Sequence, residues 1–241
     1  MPCPFSDPAV AVDIHAASCP FHAHRVPSEY HIPGDAKIDI VIRSREHQAT
    51  PQAAALLADI GGPDRIREFC TRFYSRAFLD IKINLFFFED DGAVSHGQRL
   101  ADWIIEKMDP NQKPWTASGR LGERTRSHVK AWNNPLRPVA ERGRHFTLHD
   151  CVIWMRLHFW AMRECGLMTH APFLRWYIQF IEHFIAVYER EAPPFVEASA
   201  EWSANPANLS AYTAAGNFMT DVQSITGRSM MQIMQQGIRI K

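Results

Sequence analysis

DRIREFCTRFYSRAFLD, residues 64–80, spaces Ile66, Phe69, Cys70, Phe73, Tyr74, Ala77 and Phe78 by threes and fours. That rhythm sets the apolar side chains on one stripe of an α-helix, whereas a half-buried strand would alternate with a period of two. The same reading extends in both directions. Upstream, Thr50 before Pro51 is a helix start, with the hydroxyl as cap and proline at the first helical position. Ala53–Ile60 then forms a short helix stopped by Gly61-Gly62-Pro63. Downstream, Leu85-Phe86-Phe87-Phe88 is an apolar knot before the acidic turn Glu89-Asp90-Asp91-Gly92, and a further helix over 94–108 places His96, Leu100, Trp103 and Ile104 on its inner face.

Residues 109–122 read as loop, with Pro110, Pro114, Gly119 and Gly122. A short helix over 123–131 carries His128 and is broken by Asn133-Asn134-Pro135. A basic loop follows to Arg144. LHDCVIWMRLHFWAMREC, residues 148–165, supplies a strong helix from Asp150 that Gly166 closes, and an aromatic-rich helix spans 172–191. The expected fold class is therefore all-α, with about five or six helices between residues 50 and 192.

The ends read differently. Six prolines between residues 2 and 33 interrupt any helix in the first 49 residues, which we expect to form a weakly ordered extension. Within it, KIDIVIR (37–43) alternates like a strand without an evident mate. Residues 193–241 form a second extension, polar at first. An amphipathic helix is expected over 224–238 on Ile225, Met230, Met231, Ile233 and Met234.

Composition narrows the function classes. Lysine plus arginine equals aspartate plus glutamate, 26 each, so no basic field invites nucleic acid. No apolar run approaches the roughly 20 residues of a membrane span, and MPCPFSDPAV lacks the basic start and apolar stretch of a secretory signal. Five cysteines without metal-type spacing suit a reduced, cytoplasmic setting. Cys3-Pro4 and Cys19-Pro20 lie in the proline-rich arm and receive no role. No G-x-G-x-x-G is present, so no nicotinamide or flavin site of that type is expected.

An all-α core that gathers aromatics around inward-facing histidines suits a planar cofactor with one imidazole ligand. The polar groups on the predicted inner faces are Tyr74, His96 and Trp154, each on a different helix. His158 and His183 lie on aromatic helices and read as packed or surface residues.

Over residues 58–190 the chain resembles the truncated hemoglobins, nearest to their group II branch. Ile60-Gly61-Gly62 with Phe73-Tyr74, the Phe-rich turn 86–88, and His96 with Leu100 carry the first half of the resemblance. Trp115, Arg124-x-Arg126-x-His128 thirteen residues on, and Trp154-Met155-Arg156 carry the second. The resemblance implies a globin-like, two-over-two helical sandwich holding heme b. It makes His128 the ligand to iron, and Tyr74 and Trp154 donors to a bound diatomic. His96 would stand at the ligand's gate, able to contact the ligand or the iron, with Leu100 beside it. Phe87 (or Phe88) and Trp115 would flank the heme, and Arg124 and Arg126 would pair with its propionates.

It also implies a ligand such as O2, with nitric-oxide dioxygenase or peroxidase-like chemistry supported by a separate reductase. A sensor or interaction protein signalling through its terminal extensions is the alternative, and homo-oligomerisation stays open. The chain departs from the family at Asp109-Pro110-Asn111, where Gly-Gly-Pro is expected. It departs again in the 26-residue step from His128 to Trp154, which contains an insertion at 133–144. His145 and His149 lie nearer Trp154 and remain alternative ligands.

Overall fold

The computed structural model describes residues 32–89 and 91–225. They are mainly helical, as expected; the only strands among them are three residues long.

These strands correct the reading of the first segment. β1 (Val41–Arg43) does have a mate, β2 (Glu46–Gln48), antiparallel with Ile42 opposite His47. The turn between them puts Ser44 and Arg45 at φ 50° and 69°. Such a turn is normally announced by Gly or Asn, which is why the sequence hides it. Order also begins before Thr50. The 32–48 segment is tied down by Arg175, which donates to the carbonyls of Gly34 (2.8 Å) and Ala36 (2.7 Å), and by Ile32 N–H, which donates to Asp59 (3.2 Å). His47 is only 4% exposed, set edge-on against Trp176 and Phe180.

α1 (Pro51–Asp59) begins as expected, with the Thr50 hydroxyl accepting from Ala53 N–H at 3.1 Å. α2 (Pro63–Ala77) buries Ile66, Phe69, Cys70, Phe73 and Ala77 of the predicted stripe, with Tyr74 and Phe78 half-buried. α3 (Gly92–Met108) packs along α2. Their approach is so close that a Cβ on Gly97 would lie 2.6 Å from the Thr71 Cα. After the single turn α4 (Pro114–Ala117) comes α5 (Glu123–Trp132). α6 (Leu148–Glu164) starts with a reciprocal cap, Thr147 and Asp150 each bonding the other's backbone N–H. α7 (Ala171–Ile185) is shorter than the expected 172–191. His170 caps it, accepting from Phe173 N–H at 3.2 Å while its other ring nitrogen meets Asp59 at 2.8 Å.

The folded body also runs past residue 192. α8 (Val196–Trp202) and α9 (Pro206–Ala214) lie beyond it, α8 against α6. Arg156 bonds Asp221 at 2.7 Å, and the Tyr212 hydroxyl donates to the buried Asp80 carboxylate at 3.1 Å. Beyond Ile225 the expected helix over 224–238 lies outside the described residues. No helix among the described residues is long and apolar enough to cross a membrane.

Candidate functional site

α2, α3, α5, α6 and α7 line a cavity of about 230 Å³ that is open at its mouth. Eight of the singled-out residues line it: Tyr74, Phe87, His96, Leu100, Trp115, Arg124, His128 and Trp154. Arg126 does not. It is exposed and paired with Glu123 at 2.7 Å. The reason is helical geometry: Arg124 and His128 are four residues apart and share a face of α5, while Arg126 lies nearly opposite.

His128 rests edge-on against Tyr188, 4.7 Å between ring centroids, and Phe146, 5.6 Å. Burial, with the nearby Arg124 charge second, pushes its pKa down to about 4. The ring is therefore neutral at pH 7 and keeps a lone pair. Its Nδ1 is buried and has no hydrogen-bond partner among the described residues. Neither alternative histidine lines the cavity. His145 is exposed and stacks on Trp132 at 4.1 Å, and the His149 Nε2 meets the Ile225 carbonyl at 2.9 Å.

The insertion at 133–144 folds back instead of displacing α5. Arg137, 3% exposed, donates to the carbonyls of Trp132 (2.7 Å) and Arg144 (2.9 Å) and lies 4.5 Å over the Phe86 ring. Asn134 donates to the Phe87 carbonyl at 2.9 Å. The loop thus buttresses the Phe-rich wall.

Across the cavity, Tyr74 lies 5.2 Å from His96 and 5.6 Å from Phe87, centroid to centroid. Burial raises the Tyr74 pKa, so its hydroxyl keeps its proton. The His96 Nδ1 is held by Asp91 (2.9 Å) and the Gly92 carbonyl (3.1 Å), and burial lowers its pKa. With the proton on Nδ1, Nε2 presents a lone pair, so His96 faces the cavity as an acceptor or metal ligand. Glu89, Asp91 and His96 are close enough to share a cation, but Arg99 already bonds both carboxylates.

Arg124 sits among rings, 4.2 Å over Trp103, 4.6 Å over Phe184 and 5.2 Å over Tyr188. Burial lowers its pKa, and no carboxylate bonds it among the described residues. Trp154 stacks on His158 at 4.2 Å. His158 in turn hydrogen-bonds the Tyr177 hydroxyl, and Tyr177 borders the cavity. Sequence reasoning missed Tyr177, Tyr188 and Phe146. Their only signal was aromatic content, which a packed core shares.

No protein-family model, curated protein or solved structure matches the chain.

Proposed function

We propose that this cavity holds heme b with His128 as ligand to the iron, that the chain is a globin of the truncated-hemoglobin type, and that it binds O2 or a related diatomic. The observation that carries the reading is a neutral, half-buried histidine in the wall of an aromatic cavity whose ring hydrogen-bonds nothing among the described residues.

The remaining lining suits the same group. Phe86, Phe87, Trp103 and Trp115 supply apolar ring faces. Arg124, with no carboxylate partner, takes over the propionate role expected of the Arg124–Arg126 pair. When bound, heme supplies an iron centre that takes a diatomic ligand. Tyr74 and Trp154 then offer O–H and N–H donors to that ligand from a water-poor pocket. Such donors slow release of a polarised ligand and favour turnover of O2, NO or peroxide over transport, with electrons from a separate reductase.

The test is spectroscopic. Purified protein supplied with heme should show a Soret band and ferrous and CO spectra of a histidine-bound heme. Removing an outer partner of a metal ligand costs 10–100-fold in affinity, so His128→Ala should weaken heme binding at least about hundredfold. Equal heme content and equal ferrous spectra in the two proteins would overturn the assignment.

One observation favours a sensing role. α6 carries Trp154 in the cavity and, two residues on, Arg156 bonded to Asp221 of the terminal segment. If the tail reports ligand state, adding CO should change hydrogen exchange across 196–225. Unchanged exchange there would count against signalling.

A further inference from the structure

Charge balances over the whole chain but not along it. Residues 120–144, which hold α5 and the insertion, carry seven lysines and arginines against two glutamates, a net charge of +5. Outside this stretch Arg65, Arg67, Arg72, Arg76, Arg99 and Arg156 each bond a carboxylate. Within it only Arg126 does so among the described residues, to Glu123. Arg137 and Arg142 donate to main-chain carbonyls, and Arg124 lies over rings. Such partners satisfy the donors and leave the charge in place.

The charge lies on one face. Arg126, Val129 and Lys130 are three and four residues apart, on the side of α5 turned away from Arg124 and His128. Gly143 N–H donates to the Trp132 carbonyl at 2.9 Å, which sets Arg142 and Arg144 against the end of α5. Arg126, Lys130, Arg142 and Arg144 are all exposed. Leu121, Val129, Leu136 and Val139 stand among them, 45–77% exposed, four of the nine large apolar side chains so exposed among the described residues. A merely solvated face has no use for them, and a phosphate backbone offers aliphatic groups nothing to pack on. Cations interleaved with aliphatic side chains suit a protein surface of opposite charge.

This face backs onto the cavity. Lys130 Nζ lies 5.6 Å over the Phe88 ring, which lines the cavity as Arg124 and His128 do. A partner seated outside α5 is thus one helix diameter, about 10–12 Å, from the cavity's occupant.

We propose that the outer face of α5 and the insertion docks an acidic electron-donor protein. The docking stands on charge and exposure; the delivery of an electron rests on the heme reading. One electron leaves the donor's reduced centre, a flavin or an iron–sulfur cluster, and takes ferric heme to ferrous. No bond forms or breaks.

The probe is a plant-type [2Fe–2S] ferredoxin, an acidic one-electron donor. Calorimetry reads binding of its oxidised form to the full chain, heme-free and heme-loaded. Stopped-flow absorbance reads reduction of the ferric heme-loaded chain by its reduced form. Both should weaken about tenfold from about 0.01 M to about 0.15 M salt, as the Debye length falls from about 30 to about 8 Å. Lys130→Glu/Arg144→Glu should lower both about tenfold at low salt, and reduction by dithionite less than twofold. Lys37→Glu/Arg43→Glu, the same charge change on the first segment, should alter either less than twofold. Leu136→Ser/Val139→Ser should weaken binding at least about threefold without changing its salt dependence.

Equal losses in the two charge-reversed chains, with wild-type circular dichroism and heme content, overturn the inference, because net charge alone then acts. No binding to wild type overturns it too. Unchanged binding in Leu136→Ser/Val139→Ser, or tighter binding of wild type to phosphatidylserine vesicles or single-stranded RNA than to ferredoxin, gives the face to another polyanion. Absence of a Soret band in wild type overturns the heme reading instead, and binding to the heme-free chain then decides on the docking alone.

Discussion

α6 buries ten of its side chains, whereas α5, on the other side of the cavity, buries only Ala131. The two helices also begin differently. α6 has the reciprocal Thr147–Asp150 cap; α5 starts at Gly122 in the left-handed region, with no side-chain cap. The His128 wall is therefore held from outside, by Arg137 and Asn134 of the insertion and by the rings around Arg124. The Trp154 wall belongs to the core itself. A helix with little buried surface draws little stability from packing, so α5 depends on those outer contacts.

This contrast can be broken or sharpened by substitution. Phe73 touches Tyr74, Trp154 and His158 and is fully buried. Phe73→Ala should cost about 3–5 kcal/mol in urea unfolding. Its counterpart on α5, Val129→Ala at a 45% exposed side chain, should cost less than about 0.5 kcal/mol. Similar losses at the two positions would erase the distinction between the walls.

The core side also carries an acid sensitivity. Burial, with the Lys107 and His183 charges, pushes the His47 pKa down to about 4 from the 6.5 of an unfolded chain. Between pH 6.5 and about 4 the unfolded state binds the extra proton, so stability falls with pH across that window. By pH 5 the loss is about 2 kcal/mol for this one residue, and it levels off below pH 4. His47→Phe should flatten that slope in urea titrations at pH 7 and pH 5. An unchanged slope would place the sensitivity elsewhere.

On the thin wall, Arg137→Ala strips partners from the Trp132 and Arg144 carbonyls. We expect a loss of about 1–3 kcal/mol. Proteolysis should sharpen at 133–144, and amide exchange should quicken in α5 but not in α6. Equal quickening in both helices would mean that the insertion braces the whole body. Smallest is Arg126→Ala, which loses only the exposed Glu123 pair and should change stability by less than about 1 kcal/mol and heme affinity not at all. A clear loss of heme affinity would return Arg126 to the site.

What the sequence made legible was periodic. The α2 stripe, the Thr50 cap and the face shared by Arg124 and His128 all follow from helix geometry within a few residues. What stayed hidden rests on distant partners. The Ser44-Arg45 turn has no Gly or Asn to announce it, and the hairpin holds because His47 is buried against α7. α8 and α9 are short, and their anchors, Arg156 to Asp221 and Asp80 to Tyr212, lie 65 and 132 residues apart. Arg126 was assigned from a motif's spacing, which helical rotation contradicts. The Tyr177–His158 pair was invisible for a further reason: α6 and α7 are aromatic throughout, and only the fold says which ring bears a cavity.

The Asp80–Tyr212 clasp has a consequence for synthesis. At about 5–20 residues per second, the ribosome makes Asp80 roughly 7–26 s before the tyrosine that covers it. For that interval the aspartate has only the backbone N–H groups of Lys82 and Ile83 to receive, and water reaches it. The carboxylate is therefore buried only once the segment carrying Tyr212 has been made and has docked.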